Sequence, residues 1–242
     1  MKLCVVIPVY KDSLESYEVM SAYRINTIFK NVPKYLFYPN NISPNTYLEI
    51  IEGLRLVPLD HRYFSSIDSY NRLLKSPVFY GPVGEYDFML LYQLDSYIFD
   101  ESKIYDFIDC NFDYIGAPWL KLNWYRNSTK LVTKFRSLEP FIRKVGNGGF
   151  SLRKVKTFYK YSKYLSVFNL LVSIQEDIFW TNIASRFIPG FKLPTISDAL
   201  KFGFDEDPQD CFKLNNNELP FGCHGWQKND PEFWKSYINT KK

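Results

Sequence analysis

Four groups of residues in this 242-residue chain have side chains and spacings suited to chemistry. Gln93-Leu94-Asp95 directly follows the apolar run Phe88-Met89-Leu90-Leu91-Tyr92. A carboxylate at the tip of a buried strand can hold a divalent cation whose other positions take up phosphate oxygens; it can equally cap the turn that follows. His224 sits in Gly222-Cys223-His224-Gly225-Trp226, where small residues favour a tight loop. It reads either as a metal ligand or as a core histidine satisfied by a carbonyl. Glu176-Asp177 offers a general base, or two acids that steady the positive end of a helix by about 0.3–1 kcal/mol each. Gly146-Asn147-Gly148-Gly149-Phe150 lets backbone approach a ligand closely, or simply turns the chain into a strand.

Other chemistries are excluded by pattern. The glycine run has neither the GxGxxG nor the GxxxxGK[ST] form, so a Rossmann cofactor site and a P-loop lack support. Cys4, Cys110, Cys211 and Cys223 make no CxxC pair and lie among apolar or aromatic neighbours, as reduced buried thiols do. With only His61 and His224 to complete it, a structural zinc site is not expected.

The elements that must position these groups read as an alternation of short apolar strands and amphipathic helices. Leu3 to Val9 is a β-branched run ending at Pro8-Val9-Tyr10, followed by a helix for which Asp12 or Ser13 is the expected cap. Strands are predicted over 34–38, 54–59, 88–92 and 113–118, with a helix over 67–74. Residues 145–152 enter a strand or turn, a basic helix starts near Lys154, and helices are predicted over 173–187 and around 232–238. No internal repeat or low-complexity segment interrupts them. One domain over residues 1–242 is expected, with a mobile basic insertion at about 119–144.

The net charge of +4 is unevenly placed. Between Lys121 and Lys163 there are twelve basic residues and one acid, Glu139, which points to an anionic partner or surface. The aromatics Trp119, Trp124, Tyr125 and Phe135 could sit at a membrane interface while the cations meet phosphate. Nucleic acid is not expected, since no recognition motif accompanies the charge. No apolar run reaches about 18 residues, and the N-terminal one is too short for a signal peptide; a cytoplasmic location, peripheral at the inner membrane, is expected.

Taken in order, Val6-Ile7-Pro8-Val9-Tyr10, Tyr70-Asn71-Arg72-Leu73-Leu74, Gln93-Leu94-Asp95-Ser96, Asp113 to Trp119, Gly146 to Arg153, Glu176-Asp177-Ile178-Phe179-Trp180 and Pro220 to Trp226 resemble a bacterial family of GT-A-like glycosyltransferase domains associated with surface polysaccharide synthesis. The resemblance implies a Rossmann-like GT-A fold with a mostly parallel central sheet flanked by helices. It implies transfer of a sugar from a nucleotide diphosphate sugar, a UDP-sugar by preference, to a glycan or lipid-linked glycan, with inversion. Pro8, Val9, Tyr10, Asn71, Gln93, Asp95, Gly148 and Gly149 would then face the donor, and Asp95 and His224 would hold Mn2+ or Mg2+. Asp177 would be the base, with Glu176 its alternate. Gln93 stands where the family's Asp-x-Asp motif has its first acid, so one charge is lost from the metal site. A noncatalytic sugar- or polyanion-binding module on the same scaffold is the alternative.

Overall fold

The structure is a computed structural model describing residues 1–121, 143–165 and 174–238. Most of the expected 119–144 insertion, with Trp124, Tyr125 and Phe135, lies outside the described residues, as does Ser173 at the start of one expected helix.

Strands β1 (Leu3–Pro8), β2 (Lys34–Pro39) and β3 (Leu54–Leu59) run parallel, and β4 (Phe88–Tyr92) lies parallel on the other flank of β1. β5 (Ser96–Ile98) leaves this sheet; β6 (Tyr114–Gly116) and β7 (Phe150–Lys154) complete it in the order β3-β2-β1-β4-β7-β6. β7 is antiparallel to both β4 and β6, so the sheet is mixed but mostly parallel. The strand or turn expected to follow the glycines within 145–152 is a strand that starts at Phe150.

The helices are α1 (Ser16–Ile28), α2 (Ile67–Leu74), α3 (Ile104–Cys110) and α4 (Val155–Tyr164). Then comes α5, a composite of an α-turn Glu176–Ile178, a π-segment Phe179–Ala184 and a last turn Ser185–Phe187. α6 (Ile196–Phe202), α7 (Pro208–Leu214) and α8 (Pro231–Trp234) follow, with α8 shorter than the 232–238 expected. α1 begins three residues later than an Asp12 cap would place it and two later than a Ser13 cap would. Glu15 caps it in a capping box, its N–H donating to Glu18 Oε2 at 2.7 Å, while Lys11 pairs with the same carboxylate.

Period-two alternation assigns each strand residue to one of two cores. Leu3, Val5 and Ile7 join Phe88, Leu90 and Tyr92 beneath Ala22 and Ile25 of α1 and Ile104 and Ile108 of α3. Cys4 and Val6 join Met89 and Leu91 on the opposite face, beneath Leu73 of α2, Phe158 of α4 and Trp180 of α5. This double cover is why β1, β2 and β4 are buried along their whole length and read as continuous apolar runs. A smaller sheet, β5-β9-β8, is built on β8 (Gly203–Phe204) and β9 (Gly222–His224) and carries a third core with Cys211, Trp226 and Trp234. Among the described residues no helix is long and apolar enough to cross a membrane.

Two features of this topology position a site. The chain proceeds outward from β1 to β3 and then crosses back to β4, so strand order reverses between β1 and β4, and crevices at the carboxyl ends of such strands hold ligands in α/β folds. The second sheet pairs Ser96 of β5 with His224 of β9, and Gly225 N–H donates to Asp95 O at 2.9 Å. A backbone ladder thus delivers a late histidine to the tip of β4.

Candidate active site

At the crevice a cavity of about 570 Å³ opens between Pro8, Val9 and Tyr10 after β1 and Gln93, Leu94 and Asp95 after β4. That is within the usual range for small-molecule sites, roughly 300–1,000 Å³. Tyr10 and Ile67 present large exposed apolar surface to it, at 67% and 79% exposure, while Lys228 supplies a cation at the rim. Asn71 does not line this cavity. Its Oδ1 accepts from Glu176 N at 2.8 Å and its Nδ2 donates to Ile67 O, so it clamps the start of α5 to α2; Gly148 and Gly149 likewise lie outside the cavity lining.

The tip of β4 and the end of β9 form one polar cluster. His224 Nε2 lies 3.2 Å from Asp95 Oδ1 and 3.1 Å from Gln93 Oε1, and Lys228 Nζ lies 3.6 Å from Asp95 Oδ2. Gln93 is oriented by donating from Nε2 to Tyr70 OH at 3.2 Å. The other imidazole nitrogen, Nδ1, meets Asp205 Oδ1 at 3.1 Å, and Asp205 is itself held by Asn229 at 3.0 Å and Asn147 at 2.8 Å. Burial opposes a charge on His224, but Asp95 and Asp205 outweigh it and raise the imidazole to about 10. Burial likewise opposes ionisation of Asp95, yet His224 and Lys228 hold it well below the usual carboxylate range.

Among the described residues no group of three or more His, Cys, Asp or Glu side chains is set to hold a metal ion. The set here is two such ligands and an amide. It nevertheless fits a divalent cation that takes its remaining positions from a diphosphate: the donor atoms of Asp95, His224 and Gln93 converge, and a carboxylate fixes the far nitrogen of the imidazole, as around metal-bound histidines generally.

The acid pair forms the other side of the candidate site, against Gly148 and outside the lining of the cavity. Glu176 is 3% exposed and is committed to Arg153, which is fully buried. The guanidinium donates to Glu176 Oε1 at 2.8 Å and Oε2 at 3.0 Å, to Gly148 O and Tyr80 OH at 3.0 Å, and to Ser151 Oγ at 2.9 Å. All five of its N–H donors are therefore matched. Both carboxylate oxygens of Glu176 are thus taken up by the guanidinium, so the geometry gives Glu176 a positioning role. Among the described residues no cation pairs with Asp177. Burial first, and the adjacent Glu176 second, raise its carboxyl to about 7, against backbone N–H groups of Ile178 and Gly148 that stabilise the ion.

Gly148 and Gly149 are the step between the two walls. A Cβ on Gly149 would lie 2.1 Å from His224 Nε2 and 2.4 Å from Gln93 Oε1; one on Gly148 would lie 2.1 Å from Glu176 Oε1 and 3.5 Å from Asp177 Cβ. Consecutive residues thus touch the β4–β9 cluster and the acid pair, which places Asp177 on the order of 10 Å from His224. Asp205, Arg153, Tyr70 and Lys228 were not singled out for the site by sequence reasoning. Asp205 was visible only as part of an acidic patch, and Arg153 only as one of many cations; neither carried a local signal of its partner.

A family model described as "Protein of unknown function (DUF5672)" matches residues 53–224, a span that includes Gln93, Asp95, Gly148, Gly149, Glu176, Asp177 and His224. No curated protein matches the chain by sequence. Among solved structures it is similar to mouse xyloside xylosyltransferase 1, with a TM-score of 0.59 at 10% identity over 93% of this chain and 98% of that one. It is similar to the glycosyltransferase GlyE of Streptococcus pneumoniae TIGR4, with a TM-score of 0.57 at 11% identity over 99% and 60%. An active-site mutant of LgtC gives a TM-score of 0.55 at 15% identity over 91% and 86%. At these identities the likeness establishes the fold, which is GT-A-like.

Two measurements check this geometry. Gly149→Ala should cost about 1–3 kcal/mol in urea unfolding and displace the His224 ring, seen as a shift of its imidazole NMR signals; unchanged signals would show the contact is loose. Arg153→Met should cost about 3–5 kcal/mol because it strands Glu176, and adding Glu176→Gln should recover much of that loss.

Proposed function

The chain belongs to the DUF5672 family, and from its site we propose that it is a glycosyltransferase moving a sugar from a nucleotide diphosphate sugar, a UDP-sugar by preference, to a glycan or lipid-linked glycan. A cytoplasmic role in surface polysaccharide synthesis suits this reading. The observation that carries it is the placement of Asp177, a carboxyl raised to about 7, across a two-glycine step from the Gln93–Asp95–His224 cluster at the mouth of a nucleotide-sized cleft. General bases work best when their pKa lies near the working pH.

In this reading Tyr10 and Ile67 cover the base, Pro8 and Val9 border it, and Gln93 and Lys228 meet ribose and phosphate oxygens. A divalent cation held by Asp95 and His224, with the Gln93 amide, would supply neutralisation of the departing diphosphate. Asp177 accepts the proton of the acceptor hydroxyl as that oxygen attacks the anomeric carbon. The bond to the diphosphate breaks on the opposite face, and the configuration inverts. Glu176, paired with Arg153, raises the neighbouring Asp177 carboxyl and holds the first turn of α5 in place. The single domain over 1–242 provides both walls.

A noncatalytic binding module is favoured by one feature, Gln93 in place of an acid, and nucleotide release separates the two readings. A panel of nucleotide sugars without acceptor, with and without Mn2+, should give slow nucleotide release from one donor that rises with the metal; no release from any donor would leave the binding module.

Asp177→Asn should lower kcat by about 10²–10⁴-fold, with donor KM changed little, since a proton acceptor acts in the transition state and not in the bound ground state. In the parent enzyme kcat/KM should fall about tenfold per pH unit below about 7, as Asp177 takes up a proton. Retention of the donor's configuration in the product would remove the role assigned to Asp177.

A further inference from the structure

A second groove, of about 540 Å³, lies beyond α5. Its walls carry Arg143, Lys144 and Lys192 together with Phe191, Leu193 and Ile196. None of its lining residues is acidic, and the sequence has no Asp or Glu from 140 to 175 or from 178 to 197. The nearest acid along the chain, Asp198, is occupied in the cap of α6, accepting from Thr195 Oγ1 at 2.7 Å and Thr195 N at 3.1 Å. Lys192 is partly engaged, its ammonium donating to Cys110 O at 2.8 Å. Arg143 and Lys144 have no side-chain ion pair among the described residues, and Arg143 also feels the like charge of Arg186. Cations left this close together favour an anion between them, and the apolar wall beside them favours a hydrocarbon on the same ligand.

The groove is linked to the site. Residues 143–149 run back along α5: Arg143 N donates to Asn182 Oδ1 at 2.7 Å, a Cβ on Gly146 would meet Thr181, and Gly148 lies against Glu176 and Asp177. Five residues separate Arg143 from Gly148, a reach of at most about 18 Å.

We propose that this groove is the acceptor subsite, binding an anionic amphiphile, the phosphate ester of a long-chain alcohol, whose attached sugar extends along residues 143–149 to Asp177. The assignment rests on the transfer reading above for the sugar, while the groove's affinity for the ester is independent of it. The phosphate meets Arg143 and Lys144, and the chain lies on Phe191, Leu193 and Ile196.

Calorimetric titration of the full-length protein with farnesyl diphosphate, farnesol and inorganic diphosphate tests it. Farnesyl diphosphate should bind at least about tenfold more tightly than either of the others. The Arg143→Glu/Lys144→Glu double variant should lose about tenfold or more, and Ile196→Asn should weaken the ester while leaving inorganic diphosphate unchanged. All variants should keep the parent's melting temperature and its acceptor-free nucleotide release. No saturable binding by the parent, equal binding of inorganic diphosphate, or wild-type affinity in both variants would each overturn the proposal. If the parent releases no nucleotide from any donor, the transfer reading fails, and the titration still decides whether the groove takes an amphiphilic phosphate.

Discussion

The interaction on which the rest of the site depends is the buried pair of Arg153 and Glu176. Alternation along β7 sends Phe150 and Leu152 into one core and would place an apolar residue at 153 in the other, against Tyr114 and Phe158. A guanidinium stands there instead. Taking two charges out of water costs several kcal/mol each, which is tolerable only if every donor is met, and here each is. The acceptors are the useful part of the arrangement. They come from β7 itself, the glycine loop, the turn after α2 and the first turn of α5, so one side chain fixes the relative positions of the elements that carry Gly148 and Asp177. Hydrophobic packing of the same volume would supply stability without that registration.

The other wall depends on backbone pairing. β5 and β9 bring together distant parts of the chain, and their ladder sets His224 opposite Ser96. The third core, with Trp226 and Trp234, secures the segments on either side of β9. Asp205, at the end of β8, then holds the imidazole from behind. The walls meet at Gly148 and Gly149, where neither residue has room for a methyl group. Large aromatic residues build the cores, but two hydrogens where side chains would be are what let the site close.

What could be read in the sequence follows from this division. Parallel strands buried on both faces are continuous apolar runs, so β1 and β4 and the polar residues at their tips were legible, and so was the helix over 67–74. β7 was harder, because a strand bearing Ser151 and Arg153 on one face looks half-exposed when both are buried. Helix caps misled for a local reason: Asp12 and Ser13 are better capping residues than Glu15, but Glu15 and Glu18 close a capping box that the Lys11–Glu18 ion pair reinforces. Glu176 and Asp177 were equivalent as a sequence dipeptide. Only the position of Arg153, 23 residues earlier, separates the paired acid from the raised one. Asn71 shows the converse, a side chain grouped with the donor site by resemblance that the structure uses to clamp α5. The proximity of Asp95 and His224 came from the ordered motifs, since spacing alone cannot express a β5–β9 ladder.

The two walls place opposite demands on pH. Asp177 is raised above its unfolded value of 3.8 to about 7, so between those limits the folded chain binds more protons than the unfolded one at this position. Linkage then requires its contribution to stability to be present below pH 3.8 and to be lost as pH rises through 7. Asp95 is shifted the other way, so its contribution is present above the unfolded value and lost as pH falls towards its depressed folded one. His224, raised to about 10 from 6.5, stabilises fully below 6.5 and fades as pH climbs through 10. Through neutral pH the Asp95–His224–Asp205 cluster thus holds its ion pairs, which a bound cation would replace by displacing the imidazole proton, while Asp177 gives up stability over the same interval in which it becomes able to accept a proton. A buried acid without a cation is a weakness in a fold and an asset in a base. Arg153 confines that cost to one residue: it pairs bidentately with Glu176 and leaves Asp177 without a paired cation among the described residues.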